Sequence, residues 1–215
     1  FIKGMDISMI KELEAFGAAY YLDSRREDVF HILKKCGANM IRLRIWQNPY
    51  DENGNSYGGG MNDLQTTIAL ARRTVDSGMS YMLDFHYSDF WADPAKQMKP
   101  KAWEKLKGKS LEEAVYFYTA DTLRALKNEK LVPAMVQVGN EITKGLLWPD
   151  GHIDNTETMA ALLKAGIRGV REVCPDAGIV LHLDFGTDNA LYRQWFDRLK
   201  PYELDFDVIG MSYYP

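Results

Sequence analysis

Short runs of apolar, β-prone residues alternate with amphipathic segments along this chain of 215 residues. Several of the runs are apolar at nearly every position, as expected for strands that are covered on both faces. Strands that alternate with helices predict a parallel α/β sheet. The six predicted strands lie within 2–7, 40–46, 80–87, 134–141, 179–185 and 206–213.

The segments between these runs carry helix start and stop signals. Ser24 and Glu27 form a capping-box pattern ahead of the first predicted helix, and Gly37 ends that helix. The order along the chain is therefore β-α repeated five times, followed by a sixth strand. The other predicted helices begin near Asn62, Ser110, Met159 and, more weakly, Asn189.

The loops on the two sides of the predicted strands differ in length. Those before the strands are short, whereas those after them (47–61, 88–109 and 142–155) are long and rich in aromatic residues, Asp, Gly and Pro. A (β/α)8 barrel carries its functional site on the loops after the strands. A doubly wound sheet also binds ligands there, but no Gly-x-Gly-x-x-Gly motif follows the first strand. The pattern favours the barrel.

Composition and charge exclude several classes of protein. The formal net charge is −4 with scattered Lys and Arg, so no nucleic-acid footprint is indicated. The sequence contains no run of about 18 apolar residues, so it predicts no membrane-spanning helix. The two cysteines, Cys36 and Cys174, end helices on separate parts of the barrel rim. We predict that both are free thiols, and buried as free cysteines usually are.

Polar and aromatic side chains collect where the predicted strands end. Any one of them has a plausible structural role, since a strand Arg can pair with a carboxylate, a lone His can belong to the core and a loop Asp can cap a turn. Their joint placement favours a functional site. The set comprises Arg42, Arg44, Trp46, Asp84, His86, Asp89, Trp91, Gln137, Asn140, Glu141, Trp148, His182, Asp184, Ser212 and Tyr213.

These residue types suit glycoside hydrolysis, which needs two carboxyl groups that flank the scissile bond. Glu141, at the end of a buried strand, is the candidate acid, because burial favours the neutral form of a carboxyl group. Asn140 can hydrogen-bond a sugar hydroxyl, and indole faces can stack on pyranose rings. A competing interpretation is a divalent-metal hydrolase whose ligands would be Asp84, His86, Asp89, His182 and Asp184. The absence of a His-Glu-x-x-His signature counts against it.

Seven short motifs carry a resemblance to a known family, and the run Asp84 to Pro94 is the most specific of them. The others are Gly4 to Ser8, Arg42 to Trp46, Tyr57 to Gly60, Val136 to Glu141, Gly145 to Pro149 and Ser212 to Pro215. With these motifs the chain resembles the endo-β-1,4-galactanases of glycoside hydrolase family 53. The one departure is Phe185, where a small or polar residue is expected.

The resemblance implies a (β/α)8 barrel that hydrolyses β-1,4-galactan, the type I arabinogalactan side chains of pectin, with retention of configuration. It implies that Glu141 is the general acid/base and that Arg44, His86 and Asn140 orient the nucleophile and the sugar. Tyr213 would lie near the nucleophile. The other residues that would bind substrate are Asp84, Asp89, Trp91, Trp46, Trp148, His182 and Asp184.

The nucleophile of the family is a Glu at the end of the seventh barrel strand, and only six strands are predicted here. A closed barrel needs about 250 residues. We therefore expect residues 1–215 to be a single barrel domain that is incomplete at its C-terminus and inactive on its own. No cofactor is expected within these residues, and a structural calcium site would belong to the C-terminal part.

Two other functions stay open at this stage. A non-catalytic protein that binds galactan and galacto-oligosaccharides would use the same cleft residues, and a related barrel glycosidase would act on another β-1,4-glycan. Since a polysaccharide does not enter an ordinary cytoplasm, a secreted, periplasmic or cell-surface location is expected. We also expect a monomer that contacts neither nucleic acid nor membrane.

Overall fold

A six-stranded parallel sheet forms the centre of the molecule in a computed structural model that describes residues 1–214. Pro215, which ends the motif that starts at Ser212, lies outside the described residues. The strands follow the chain order across the sheet, and every neighbouring pair is parallel. They are β1 (Gly4–Asp6), β4 (Met40–Ile45), β5 (Ser80–Phe85), β6 (Met135–Val138), β7 (Gly178–Leu183) and β8 (Val208–Met211).

Helices connect successive strands of this sheet, as the hydrophobic periodicity predicts. The helices are α1 (Ile10–Ala15), α2 (Val29–Lys35), α3 (Leu64–Asp76), α4 (Gly108–Asn128), α5 (Thr156–Val173) and α6 (Asn189–Leu199). A separate antiparallel hairpin consists of β2 (Tyr20–Leu22) and β3 (Arg25–Glu27).

The hydrophobic core lies between the sheet and these helices. Phe85 and Val138 on the central strands are fully buried, as are Leu123 on α4 and Leu163 on α5. Helix α5 approaches α4 closely at Gly169, where a Cβ atom would come within 3.1 Å of the Tyr116 carbonyl oxygen. A small residue there lets the longest two helices pack directly against each other.

The opposite face of the sheet borders an open groove of about 960 Å³. The outer strands β1 and β8 form its rims and carry exposed apolar side chains, such as Met5 and Met211, each 50% exposed. The central strands are buried at their carboxyl ends. The groove therefore combines apolar walls with polar residues from the strand ends.

The main local error of the sequence prediction concerns residues 20–27. Ser24 and Glu27 do not start a helix, because Asp23 and Ser24 adopt left-handed φ angles of 50° and 64° in the turn of a β-hairpin. Helix α2 starts later, after Asp28, whose carboxylate accepts a hydrogen bond from the Phe30 amide at 2.8 Å. The short helix α1 was not predicted either.

Both cysteines are free thiols, which confirms that part of the prediction. Cys174 is buried as predicted, but Cys36 is exposed. The expected burial of Cys36 was wrong because it caps the C-terminus of the short helix α2 at the surface. Among residues 1–214, we find no helix with the length and apolar character needed to cross a bilayer.

Candidate active site

The strand register brings the predicted site residues together on the groove face of the sheet. Arg44 on β4 aligns with Asp84 on β5, and Asp84 aligns with Gln137 on β6. Because side chains alternate along a strand, Arg42 points to the same face as Arg44. The carboxyl ends of the central strands therefore carry one contiguous patch of charged and amide side chains.

Asp84 is the centre of this patch and is completely buried. Its Oδ2 atom accepts hydrogen bonds from Arg42 Nη2 at 2.5 Å and His86 Nε2 at 2.9 Å, and its Oδ1 atom accepts one from Gln137 Nε2 at 2.6 Å. Burial alone would raise the pKa of Asp84, but the Arg42 and His86 partners outweigh it and hold the pKa at about 2. Asp84 is an ionised carboxylate whose oxygens are already occupied.

His86 is fixed in orientation by the loop after β5. Its Nδ1 atom accepts a hydrogen bond from the Ala92 amide at 3.1 Å, so the ring hydrogen lies on Nε2 and points to Asp84. The ring also contacts Trp91 edge-on. His86 therefore joins the loop to the Asp84 patch and has no free ring nitrogen for a substrate.

Arg42 belongs to the predicted strand-end set but was given no catalytic or substrate-binding role, and it contacts several members of the patch. Its guanidinium donates to Asp6 Oδ2 at 2.6 Å and to Asn140 Oδ1 at 2.8 Å, in addition to Asp84. Burial opposes its charge, but Asp84 and Asp6 raise the pKa of Arg42 above its ordinary value. The spacing of two residues from Arg44 on one strand was the signal that could have identified it.

Arg44 has a different environment, against an aromatic ring. Its guanidinium carbon lies 4.0 Å above the centre of the Trp91 ring, and its Nη2 donates to the Gly59 carbonyl oxygen at 3.3 Å. Gly59 adopts a φ of 76°, and a Cβ atom there would approach Trp91 Nε1 to 2.8 Å. The glycine-rich turn thus lets the loop after β4 cover the edge of Trp91.

The three predicted sugar-stacking tryptophans have different positions. Trp91 is half-buried and lines the groove. Trp46 is only 1% exposed, and its ring packs beneath Phe90 and Trp91. The structure therefore leaves the Trp46 side chain almost no exposed surface for the predicted contact with substrate. Trp148 lies in the loop after β6, where its Nε1 donates to the Lys144 carbonyl oxygen at 3.0 Å.

Asn140 and Glu141 follow β6 at a sharp change of chain direction. Gly139 and Glu141 have left-handed φ angles of 88° and 50°, a strained conformation for Glu that is typical of functional sites. The Asn140 amide donates from Nδ2 to the Ala92 carbonyl oxygen at 2.8 Å. Glu141 is half-buried and borders the groove. The turn therefore directs a carboxyl group from the sheet edge towards open space.

His182 on β7 lies between Asn140 and the end of β8. Its Nδ1 atom is 3.0 Å from Asn140 Oδ1, and its Nε2 atom is 3.1 Å from Ser212 Oγ. Burial lowers the pKa of His182 to about 4, although the nearby Asp84 charge acts in the other direction. The imidazole is therefore neutral near neutral pH. Ser212 also reaches Glu141 Oε1, at 2.5 Å.

The remaining predicted residues lie around the rim. The Asp89 carboxylate accepts hydrogen bonds from the Asn48 and Lys101 amides at 3.0 and 2.8 Å, so it holds two loops together. Asp184 hydrogen-bonds to the Thr143 hydroxyl and borders a second pocket, of about 350 Å³, beside Glu141. Tyr213 is 59% exposed.

The metal interpretation finds no ligand set in the described part of the chain. Between residues 1 and 214, no group of three His, Cys, Asp or Glu side chains is arranged to hold an ion. Asp84 and His86 bind each other, and Asp89 binds backbone amides. The arrangement instead suits proton transfer at Glu141 beside a groove lined by an aromatic ring.

Comparisons with known proteins agree with the geometry. The family model described as glycosyl hydrolase family 53 matches residues 2–215. An endo-beta-1,4-galactanase of Bacillus subtilis is 43% identical over the whole chain, and an arabinogalactan endo-beta-1,4-galactanase of Cellvibrio japonicus is 38% identical. The chain spans 49% and 57% of the lengths of these two relatives.

A solved structure extends the agreement to the fold. The family 53 catalytic domain of Ignisphaera aggregans matches all of this chain with a TM-score of 0.97 and 44% identity, and the match covers 60% of that domain. The six parallel strands therefore correspond to part of a (β/α)8 barrel, as the sequence predicted. The chain belongs to glycosyl hydrolase family 53.

Proposed function

We propose that this chain is the acid/base half of an endo-acting, retaining glycoside hydrolase that cleaves β-1,4-galactan. One observation carries the proposal. Among the groove-lining carboxyl groups of residues 1–214, Asp6 is paired with Arg42 and Asp93 with Lys96, whereas Glu141 has no cationic partner. Glu141 is thus free to exchange a proton with a ligand in the groove. The substrate is inferred from the galactanase names of the relatives.

In the proposed reaction Glu141 protonates the glycosidic oxygen as the bond breaks, and later removes a proton from the attacking water. Asn140 uses one amide N–H on the Ala92 carbonyl oxygen, which leaves the other for a sugar hydroxyl. The partly exposed ring of Trp91, held by Arg44, offers a face to a pyranose ring. These residues bind and orient the sugar beside Glu141.

The second carboxyl group of a retaining enzyme lies about 5–5.5 Å from the first. Asp84 is unsuited to that role because its oxygens are occupied and buried. We propose that the nucleophile is a Glu on the seventh barrel strand, in the portion of the family's barrel that residues 1–215 do not include. Residues 1–215 would then be part of a single catalytic domain, in a monomeric protein located where galactan is present outside the cytoplasm.

Substitution of Glu141 in the full protein that carries residues 1–215 tests the proposal. Glu141→Gln is expected to lower galactan hydrolysis by about 10²–10⁴-fold, and to affect less an aryl galactoside whose leaving group needs little acid assistance. With Glu141→Ala, added azide should restore turnover of the aryl substrate and yield a β-galactosyl azide, because retention requires two inversions. Glu113→Gln, an exposed change on α4, is the matched control.

Unchanged galactan hydrolysis in Glu141→Gln, or an azide product of inverted configuration, would contradict the proposed role of Glu141 or the retaining mechanism. Calorimetry with β-1,4-galactotetraose, combined with product analysis, separates an enzyme from a binding protein. Binding without any product from the parent protein would support the non-catalytic alternative. A panel of β-1,4-linked mannan, xylan and glucan tests the preference for galactan.

A further inference from the structure

Ser212, the first residue after β8, is the one described side chain that hydrogen-bonds to the Glu141 carboxyl group. Its hydroxyl lies 2.5 Å from Glu141 Oε1 and 3.1 Å from His182 Nε2. A serine hydroxyl has one hydrogen to donate and can also accept. It can therefore donate to only one of these two neighbours at a time.

The partners of Asn140 favour one hydrogen position on His182. Asn140 donates through Nδ2 to a carbonyl oxygen, and its Oδ1 accepts from Arg42 at 2.8 Å, so the amide orientation is unambiguous. Oδ1 is a pure acceptor, and hence His182 Nδ1, 3.0 Å away, carries the hydrogen. The Glu141 and Gln137 N–H groups, which would favour the opposite tautomer, are farther from Nδ1, at 3.3 Å each.

A neutral His182 with its hydrogen on Nδ1 presents a lone pair on Nε2 to Ser212. When the Ser212 hydroxyl donates to that lone pair, its short contact with Glu141 requires the carboxyl group to be the donor, which is the protonated form. When Glu141 is ionised, the same hydroxyl can turn and donate to the carboxylate. The site thus offers a hydrogen bond to Glu141 in both of its proton states.

We propose that Ser212 is a positioning residue for Glu141 whose hydroxyl donates to His182 while Glu141 is protonated and to the carboxylate after Glu141 has lost its proton. The inference rests on the proposed acid/base function of Glu141. In bond cleavage the Glu141 proton leaves its hydrogen bond to the Ser212 oxygen and goes to the leaving oxygen, and the Ser212 hydrogen turns from His182 Nε2 to Oε1 of the carboxylate. When water attacks the sugar, its proton returns to Glu141 and the hydroxyl turns back. No proton leaves Ser212 or His182.

The test compares two substrates in the full protein that carries residues 1–215. Ser212→Ala is expected to lower kcat/KM for β-1,4-galactotetraose by about 10–100-fold, the effect of one hydrogen bond to a charged group. The kcat/KM for 2,4-dinitrophenyl β-galactobioside should change by less than about threefold, because its leaving group needs little protonation. Ser212→Thr, which keeps the hydroxyl, should restore galactotetraose cleavage, and Ser80→Ala at the far end of β5 is the matched control.

A parallel fall of kcat/KM for both substrates in Ser212→Ala would overturn the inference, because a merely structural role affects both alike. Equal rates for Ser212→Ala and the parent would overturn it as well. If Ser212→Ala does not fold, Ser212→Cys, a weak donor, should show the same difference between substrates. Glu141→Gln in the same assay separates the proposed role of Glu141 from that of Ser212. If Glu141 is not the acid/base, Glu141→Gln itself will show no difference between the two substrates.

Discussion

Asp84 and Glu141 are carboxylic acids at the ends of neighbouring strands, yet their surroundings differ. Asp84 is fully buried and receives hydrogen bonds from Arg42, His86 and Gln137. Glu141 is half-buried, and Ser212 is its described side-chain partner. A carboxylate whose oxygens are all occupied stabilises and orients its neighbours, whereas one with a single neutral partner can exchange a proton. Hydrogen-bond occupancy, more than residue type or strand position, therefore distinguishes the two roles.

The largest expected effect that tests this comparison is on stability. Asp84→Ala should lower the free energy of unfolding by about 3–5 kcal/mol, because it leaves the Arg42 charge in the buried patch without its main partner. Glu141→Gln should change it by less than about 0.5 kcal/mol, as for a surface substitution. Urea unfolding of both variants measures the difference, and similar losses in the two would remove the distinction between the carboxyl groups.

The next largest effect is the loss of stability at acid pH that His182 causes. This residue connects the surroundings of Asp84 with those of Glu141. Its pKa is lowered from 6.5 to about 4, so the folded state stays neutral where the unfolded chain takes up a proton. The contribution of His182 to the free energy of unfolding is therefore complete above pH 6.5. It is lost as the pH falls to about 4, which lowers the free energy of unfolding by about 3 kcal/mol. The contribution of Asp84, with a pKa of about 2, is lost only at lower pH, below 3.8.

Unfolding free energies of the parent and His182→Gln, measured between pH 7 and pH 4, check this. The parent should lose stability more steeply than the variant in that interval. Equal slopes would show that His182 is not held neutral by burial, and would weaken the hydrogen assignment on its ring.

The smallest effect extends the comparison to the two arginines. Arg42 is held by Asp6, Asp84 and Asn140, whereas Arg44 lies over the Trp91 ring. Arg44→Lys should cost about 0.5–2 kcal/mol, the range of a cation–π contact. Arg42→Lys should cost more, because lysine cannot serve three acceptors in the fixed geometry of a guanidinium. Thermal unfolding of the two variants measures the order, and the reverse order would contradict it.

Local sequence patterns predicted most of the fold. Apolar runs with helical segments between them identified all six strands of the main sheet, and α6 begins at the predicted Asn189. The error at Ser24 has a local cause, since Ser can cap a helix or form a turn with equal ease. The left-handed φ angle of its neighbour Asp23 and the pairing of β2 with β3 on either side decided for the turn.

The candidate site was predictable in its place but only partly in its members. Glu141, Asn140, His86 and His182 lie together as strand-end residues should. Arg42 and Ser212 were in the predicted strand-end set but were given no role, and Trp46 proved to be buried. A polar residue on a strand has the same local pattern whether its partner is a substrate, a carboxylate or a serine on a distant strand.

The sequence by itself determined the order of strands and helices, the strand ends that carry the polar residues and, through its motifs, the family. These features depend on periodicities of a few residues and on short motifs, which are local properties. The tertiary structure decided which donor meets which acceptor: Ser212 reaches Glu141 across 71 positions of sequence because β8 pairs with β7 and the sheet curls. Such contacts depend on strand register and curvature, which arise from the packing of the whole sheet.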